Sequence, residues 1–160
     1  LYNMRSLYER LDRELARGSR FKRSSAVVMM DMDAFKSVND TNDHLFGSFV
    51  LSEVGAIIQK TMRQIDFAAR YGGDEFLIVL SEVDISGAQA FCERLRKSIA
   101  AHLFKHDESE MYLTCSIGFA ITDPYSSISS RELVKMADRA LYDAKESGRN
   151  RVCFYDLSKP

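Results

Sequence analysis

Arg70-Tyr71-Gly72-Gly73-Asp74-Glu75-Phe76 lies between two apolar stretches. Phe67 to Tyr71 and Phe76 to Leu80 read as strands. The paired glycines between them suit the primed two-residue turn of a β-hairpin, which needs positive φ. The tip of that hairpin then carries two carboxylates, Asp74 and Glu75.

Upstream, Asp31-Met32-Asp33-Ala34-Phe35-Lys36-Ser37-Val38-Asn39-Asp40 supplies a second acidic cluster. The run Ala26 to Met30 before it, bounded by Ser24-Ser25 and Asp31, predicts a buried central strand that delivers Asp31 to its C-terminal edge, where open α/β sheets place ligands. If this strand neighbours the hairpin, Asp31, Asp74 and Glu75 converge. Hard oxygen donors in that number suit Mg²⁺, which keeps several waters and takes one or two carboxylates together with substrate phosphates. Asp33 is expected to cap a short helix, leaving the backbone N–H groups of Ala34, Phe35 and Lys36 to meet an anion, with Lys36 adding a cation. Any one of these acids alone reads as a solvated turn residue. Their order and separation together point to a site.

Further out, Leu7, Leu11 and Leu15 stripe a helix from Met4 to Leu15 that Gly18 ends. Val50, Leu51, Val54, Ile57 and Ile58 stripe a long helix over Phe46 to Met62. Ala88 to Leu103 is a further helix, Tyr112 to Ile121 a strand, Ser130 to Ser147 a helix stopping at Gly148, and Arg151 to Tyr155 a last strand. Helices alternating with strands predict an α/β fold, an α+β sandwich with a central sheet covered by helices.

Length and composition set limits on function. A chain of 160 residues with 46% hydrophobic content fits one domain with a sizeable core, here residues 1–160. A formal charge of −1 argues against general nucleic-acid affinity and for a small anionic ligand met by a few placed cations. Cys92, Cys115 and Cys153 stand singly in apolar segments and read as reduced core residues. No apolar run approaches the roughly 20 residues of a membrane span and no signal peptide opens the chain. A cytoplasmic domain without membrane contact of its own is expected, although an upstream region could anchor the whole protein. A start at Leu1 suggests a piece excised from a longer protein.

Together the two acidic motifs resemble the GGDEF family of nucleotide cyclases, and the resemblance runs from about Leu1 to Tyr155. It implies a nucleotide-cyclase-like fold with a mostly antiparallel central sheet. It also implies two divalent ions, Mg²⁺ or Mn²⁺, held by Asp31, the backbone carbonyl of Met32, Asp74 and Glu75. Asp74, Glu75 and Lys36 are implied as catalytic, Asp74 assisting deprotonation of an attacking 3′-hydroxyl. Phe35 and Lys36 would meet phosphate, and Lys145 and Arg149, in Ala144-Lys145-Glu146-Ser147-Gly148-Arg149-Asn150, would grip the triphosphate tail. Their plain alternative is dipole complementation at a helix end. Asn39 matches the base-reading asparagine and His44 a histidine near the same pocket; as ordinary residues they would be a turn former and a surface histidine.

The family pattern after that asparagine is Asn-Asp-x-x-Gly-His-x-x-Gly-Asp, whereas Asn39 to Ser48 depart from it twice. Asp43 replaces a glycine, a change tolerated because Asp visits left-handed conformations. Ser48 replaces the aspartate that recognises guanine. A carboxylate only accepts, so it pairs with guanine's N1–H and 2-amino donors and repels adenine's N1 lone pair; a hydroxyl can accept or donate. Losing the charged partner costs roughly 1.5–3 kcal/mol for guanine, and the element that rejects adenine goes with it. Serine here is similar to the Hypr (hybrid promiscuous) subgroup, which joins ATP and GTP into 3′,3′-cyclic GMP-AMP with the symmetric dinucleotides, cyclic di-GMP and cyclic di-AMP, as side products. Two alternatives stay open: a conventional diguanylate cyclase making cyclic di-GMP from two GTP, and a non-catalytic nucleotide or cyclic-dinucleotide receptor.

Each such domain carries one nucleotide, so head-to-tail joining requires a homodimer. Arg63-Gln64-Ile65-Asp66 matches the family's RxxD inhibitory site for the cyclic dinucleotide product, and Arg94 its secondary arginine, guanidinium groups being suited to planar bidentate contacts. An upstream input domain is expected to switch the enzyme.

Overall fold

Seven consecutive buried residues, Ala26–Met32, form a strand with both faces covered, and such a strand belongs inside a sheet flanked by helices. The computed structural model describes residues 1–41, 44–125 and 127–156. In chain order its elements are α1 (Met4–Phe21), β1 (Ala26–Met32), α2 (Phe35–Thr41), α3 (His44–Thr61), β2 (Phe67–Arg70), β3 (Glu75–Leu80), α4 (Ile85–Ala101), β4 (Leu103–His106), β5 (Ser109–Tyr112), β6 (Cys115–Ile121), α5 (Ser130–Glu146) and β7 (Val152–Phe154). The main sheet has the order β2-β3-β1-β6-β7. β1 runs antiparallel to both β3 and β6, β2 antiparallel to β3, and β7 parallel to β6. This is the α/β architecture with a helix-covered central sheet expected from the element alternation, and the sheet is mostly antiparallel, as the family resemblance implies.

Because side chains alternate across a strand, β1 divides the core in two. Val28, Met30 and Met32 pack with Phe46, Val50, Val54, Ile58, Phe91 and Leu95 beneath α3 and α4. Val27 and Met29 pack with Leu7, Leu11, Leu133, Ala137 and Leu141 of α1 and α5. Side-chain caps start three of these helices: Asn3 accepts from Ser6 N–H, Asp84 from Gly87 N–H and Ser129 from Glu132 N–H. Among the described residues no helix is long and apolar enough to cross a membrane. Cys92 and Cys115 are buried, Cys153 is half-buried, and all three are free thiols.

Four sequence expectations change. Gly18 does not end α1: the helix continues to Phe21 and Lys22 caps it in the left-handed region at φ 57°. Gly18 is needed for a close approach, since a Cβ there would stand 2.6 Å from the Arg23 carbonyl oxygen. The predicted strand Tyr112 to Ile121 is two strands, and the predicted helix to Leu103 stops at Ala101. A separate hairpin, β4 with β5, intervenes, its Leu103↔Tyr112 and Phe104↔Met111 pairs turning at Asp107, φ 54°. Its lysine, histidine and glutamates hide the period of two. Asp33 does not cap α2; its carboxylate turns instead to Thr114, Ser116 and Asn150.

The glycine hairpin is also not a primed two-residue turn. The last β2–β3 pair is Arg70↔Phe76, and among the described glycines only Gly148 has positive φ. The wider loop closes through Tyr71 N–H to the Glu75 carbonyl at 2.8 Å. The Arg70 guanidinium holds it from within, Nε donating to the Gly73 carbonyl at 3.0 Å and to that of Gly72 at 3.3 Å.

α5 lies against β6 so tightly that a Cβ on Gly118 would stand 2.6 Å from the Ala137 carbonyl oxygen. Helix backbone cannot yield there as a side chain would, so Gly118→Ala is expected to destabilise the fold by about 1–3 kcal/mol. Denaturant melts check this; an unchanged midpoint would show that α5 can move away freely.

Candidate active site

The register of β1 against β3 sets Asp31 opposite Glu75, and Met32 N–H donates to the Asp74 carbonyl at 3.3 Å. Asp31, Asp74 and Glu75 therefore gather at one sheet end, although they come from separate parts of the chain. From the other side the Lys145 ammonium of α5 donates to Asp31 Oδ2 as an ion pair. The other carboxylate oxygen of Asp31, Oδ1, is buried without a hydrogen-bond partner among the described residues. Burial pushes the Asp31 carboxyl up to about 6, the neighbouring Asp74 carboxyl adding to the rise and Lys145 opposing it. Glu75 is raised too, first by burial and then by the Asp31 charge.

Hard carboxylate oxygens with one buried lone oxygen suit a divalent cation. Among the described residues, no three His, Cys, Asp or Glu side chains form a ready-made cage. That fits an ion whose coordination is completed by water and phosphate better than a closed structural site.

Beside the carboxylates opens a cavity of about 400 Å³, walled by Phe35, Lys36, Asn39, His44, Gly47, Ser48, Leu51, Arg70, Gly73 and Asp74. Asn39 and Ser48 come from α2 and α3, which meet closely at Gly47. A Cβ on Gly47 would clash with the Asn39 carboxamide oxygen, so this glycine makes room for the amide to lie against α3. Phe35 is buried and Lys36 exposed, leaving the lysine free to reach an anion in the cavity. Asp43 lies outside the described residues.

The cations expected to grip the triphosphate tail, Lys145 and Arg149, are less tightly gathered, and neither lines this cavity. Lys145 reaches Asp31, whereas Arg149 stands beyond the end of α5 with φ 61°, its Nη1 donating to the Lys145 carbonyl at 3.4 Å. In the expected product site, Arg63 and Asp66 form a bidentate ion pair at 2.9 and 3.1 Å. Asp66, its side chain fully buried, also accepts from Ser81 N–H at 3.2 Å. Arg63 borders a shallow groove with Arg23, Ser24, Glu82, Val83, Asp84 and Gly87. Arg94 does not line that groove; it is exposed on α4 with its guanidinium over the Phe91 ring. Sequence reasoning also missed residues: Arg70 holds the loop and lines the cavity, and its signal was its place immediately before Tyr71-Gly72-Gly73.

Residues 1–151 match the family described as "Diguanylate cyclase, GGDEF domain". The chain is 41% identical over 131 residues to Diguanylate cyclase A of Treponema denticola, covering 82% of this chain and 35% of that protein. It is 38% identical over 152 residues to Diguanylate cyclase DgcP of Pseudomonas aeruginosa, covering 95% of this chain and 22% of that one. The chain thus spans about a third or less of the length of these curated relatives. Among solved structures, the GGDEF domain of DgcB from Caulobacter crescentus in complex with c-di-GMP superposes with a TM-score of 0.90 at 31% identity, over 97% of this chain and 91% of that one.

Burial holds the Asp31 carboxyl up from the ordinary 3.8 to about 6. Between those values the folded chain holds a proton that the unfolded chain has released, so this group's contribution to stability declines as pH rises through that window. Denaturant melts in chelator at pH 4 and pH 7 are expected to show a smaller loss of stability with rising pH for Asp31→Asn than for the parent chain. Equal slopes would contradict the burial of this charge.

Proposed function

This chain belongs to the family of GGDEF domains, and from that premise we propose that it condenses two nucleoside triphosphates into a 3′,3′-cyclic dinucleotide with release of pyrophosphate. The observation that supports this best is the meeting of Asp31, Asp74 and Glu75 beside a cavity that holds Asn39 and Lys36. A receptor needs the cavity but not three carboxylates gathered beside it, so those acids favour synthesis over the receptor reading.

In this reading Asp31, the Met32 carbonyl, Asp74 and Glu75 hold Mg²⁺ or Mn²⁺, two ions per site. When bound, the metal neutralises charge on the triphosphate and on the departing pyrophosphate. Asn39 orients the base and His44 lies near it. The Phe35 backbone, Lys36, Lys145 and Arg149 meet the phosphates, Lys145 exchanging Asp31 for phosphate oxygens. Asp74 takes the proton of the 3′-hydroxyl, assisted by Glu75 and Lys36 at the same cluster. The 3′-oxygen forms a bond to the α-phosphorus of the facing nucleotide as the bond to the β-phosphate oxygen breaks, and the step occurs twice. Among the described residues one such cavity lies beside the carboxylates, so two copies face each other and positioning supplies much of the rate. Arg63 and Asp66, with Arg94, form the candidate site for feedback by the product.

Regarding the product, the relatives above are named diguanylate cyclases, which favours cyclic di-GMP from two GTP over the mixed product expected from Ser48. The second reading keeps one specific support: Ser48 lines the same cavity as Asn39, and no carboxylate stands at its position to repel adenine. An input domain elsewhere in the longer protein, and a cytoplasmic setting for this one, complete the reading.

Incubation of the chain with Mg²⁺, first with GTP and then with equimolar GTP and ATP, followed by mass analysis, tests both. Cyclic di-GMP is expected from GTP, and Asp74→Ala is expected to abolish it; a dimeric preparation that makes nothing would overturn the enzymatic reading. Cyclic GMP-AMP from the mixture, lost in Ser48→Asp, would establish the relaxed pocket. Its absence would leave a guanine-specific cyclase.

A further inference from the structure

Asp33 has no part in the reaction as proposed, yet it joins three elements. Its Oδ1 accepts from Ser116 Oγ at 2.6 Å, and its Oδ2 from Thr114 Oγ1 at 2.7 Å and from Asn150 N–H at 3.1 Å. Its own N–H donates to the Thr114 carbonyl at 2.9 Å. Asn150 closes a run of positive φ in which Gly148 stands at 127°, Arg149 at 61° and Asn150 at 46°. Non-glycine residues adopt such φ rarely, and a run of them persists only where its surroundings hold it. Arg149 N–H donates to the Ala144 carbonyl at 2.9 Å and Arg151 Nε to the Arg149 carbonyl at 3.1 Å, and two side chains anchor Asn150 itself. Asp33 takes the Asn150 backbone, and Arg96 Nη1 donates to Asn150 Oδ1 at 3.0 Å while Glu93 braces the same guanidinium at 2.9 Å.

The turn matters because of what it carries. Arg149 is in the middle of it, and Lys145, whose carbonyl receives the Arg149 guanidinium, pairs with Asp31. Asp31 and Asp33 are two residues apart at the end of β1, so one strand end contacts both the ammonium and the turn that aims the guanidinium.

We infer that Asp33 is a positioning residue that holds the Gly148-Arg149-Asn150 turn, and through it the cations Lys145 and Arg149, over the strand end where the triphosphate lies. This rests on the nucleotide reading given above. Asn39 and Ser48 line the cavity from α2 and α3, and the groups that Asp33 binds, Thr114, Ser116 and Asn150, lie outside those helices, so loss of Asp33 weakens phosphate contacts while leaving the base contacts in place. A role confined to folding would weaken all nucleotides alike.

Isothermal titration of the chain with GMP and with a non-hydrolysable GTP analogue, both with Mg²⁺, measures the affinity added by the extra phosphates. Asp33→Ala is expected to cut analogue affinity tenfold or more and GMP affinity less than twofold. Asp33→Asn is expected to recover most of the loss, because an amide oxygen still accepts from Asn150 and Thr114 while its NH₂ donates to Ser116 Oγ. Arg149→Ala should remove part of the same increment, and the double variant Asp33→Ala, Arg149→Ala should fall short of the product of the two single losses. Should Asp33→Ala not fold, Arg96→Met, which frees Asn150 from its other anchor, is expected to narrow the same ratio. Equal weakening of GMP and analogue, fully multiplicative losses, or an unchanged ratio in Arg96→Met would overturn the inference. A parent chain that binds neither nucleotide would overturn the functional reading, and the inference with it.

Discussion

A carboxylate at the end of a strand buried on both faces constrains everything around it. Removing such a group from water costs several kcal/mol unless it is neutralised or paired, and Asp31 meets that cost in part: Lys145 pairs with one oxygen, and burial raises the carboxyl toward its neutral form. The remaining oxygen has no partner among the described residues. The fold thereby maintains, at one spot, an unsatisfied anion beside two further carboxylates, and that arrangement favours a divalent cation.

Keeping the spot assembled depends on close approaches that allow little change. Gly118 lets α5 settle onto β6, which carries Lys145 to Asp31. Gly47 lets α2 and α3 close on Asn39. Arg70 supplies hydrogen bonds that a tight turn would have made for itself, drawing the Gly72 and Gly73 carbonyls inward so that Asp74 faces the cavity. In each case one residue sets the position of another that bears the chemistry.

Specificity depends on a smaller difference. The cavity wall holds the Asn39 amide and the Ser48 hydroxyl, where the family pattern has an amide and a carboxylate. A hydroxyl rotates to suit its partner and a carboxylate does not, so in the proposed reading guanine preference would depend more on Asn39, and hence on the glycine behind it. Similarity to diguanylate cyclases and the relaxed donor pattern at Ser48 therefore pull in different directions at a single position.

Much of the fold was legible in the chain. The burial of β1, the helical stripes and the glycine-rich hairpin follow from local periodicity, which acts over neighbouring residues, and the acidic motifs carried the family. The hairpin between α4 and β6 escaped notice because its charged residues mask the alternation. The extent of α1 escaped because Gly18 serves packing and not termination. The partners of Asp33 could not be read at all, since Thr114, Ser116 and Asn150 lie some eighty or more residues away in sequence. From sequence alone one can determine which residue types are available and at what local spacing. Which carboxylate meets which cation, and which glycine clears space for which amide, was decided only by the tertiary structure, because those contacts arise from strand order and helix docking across long separations.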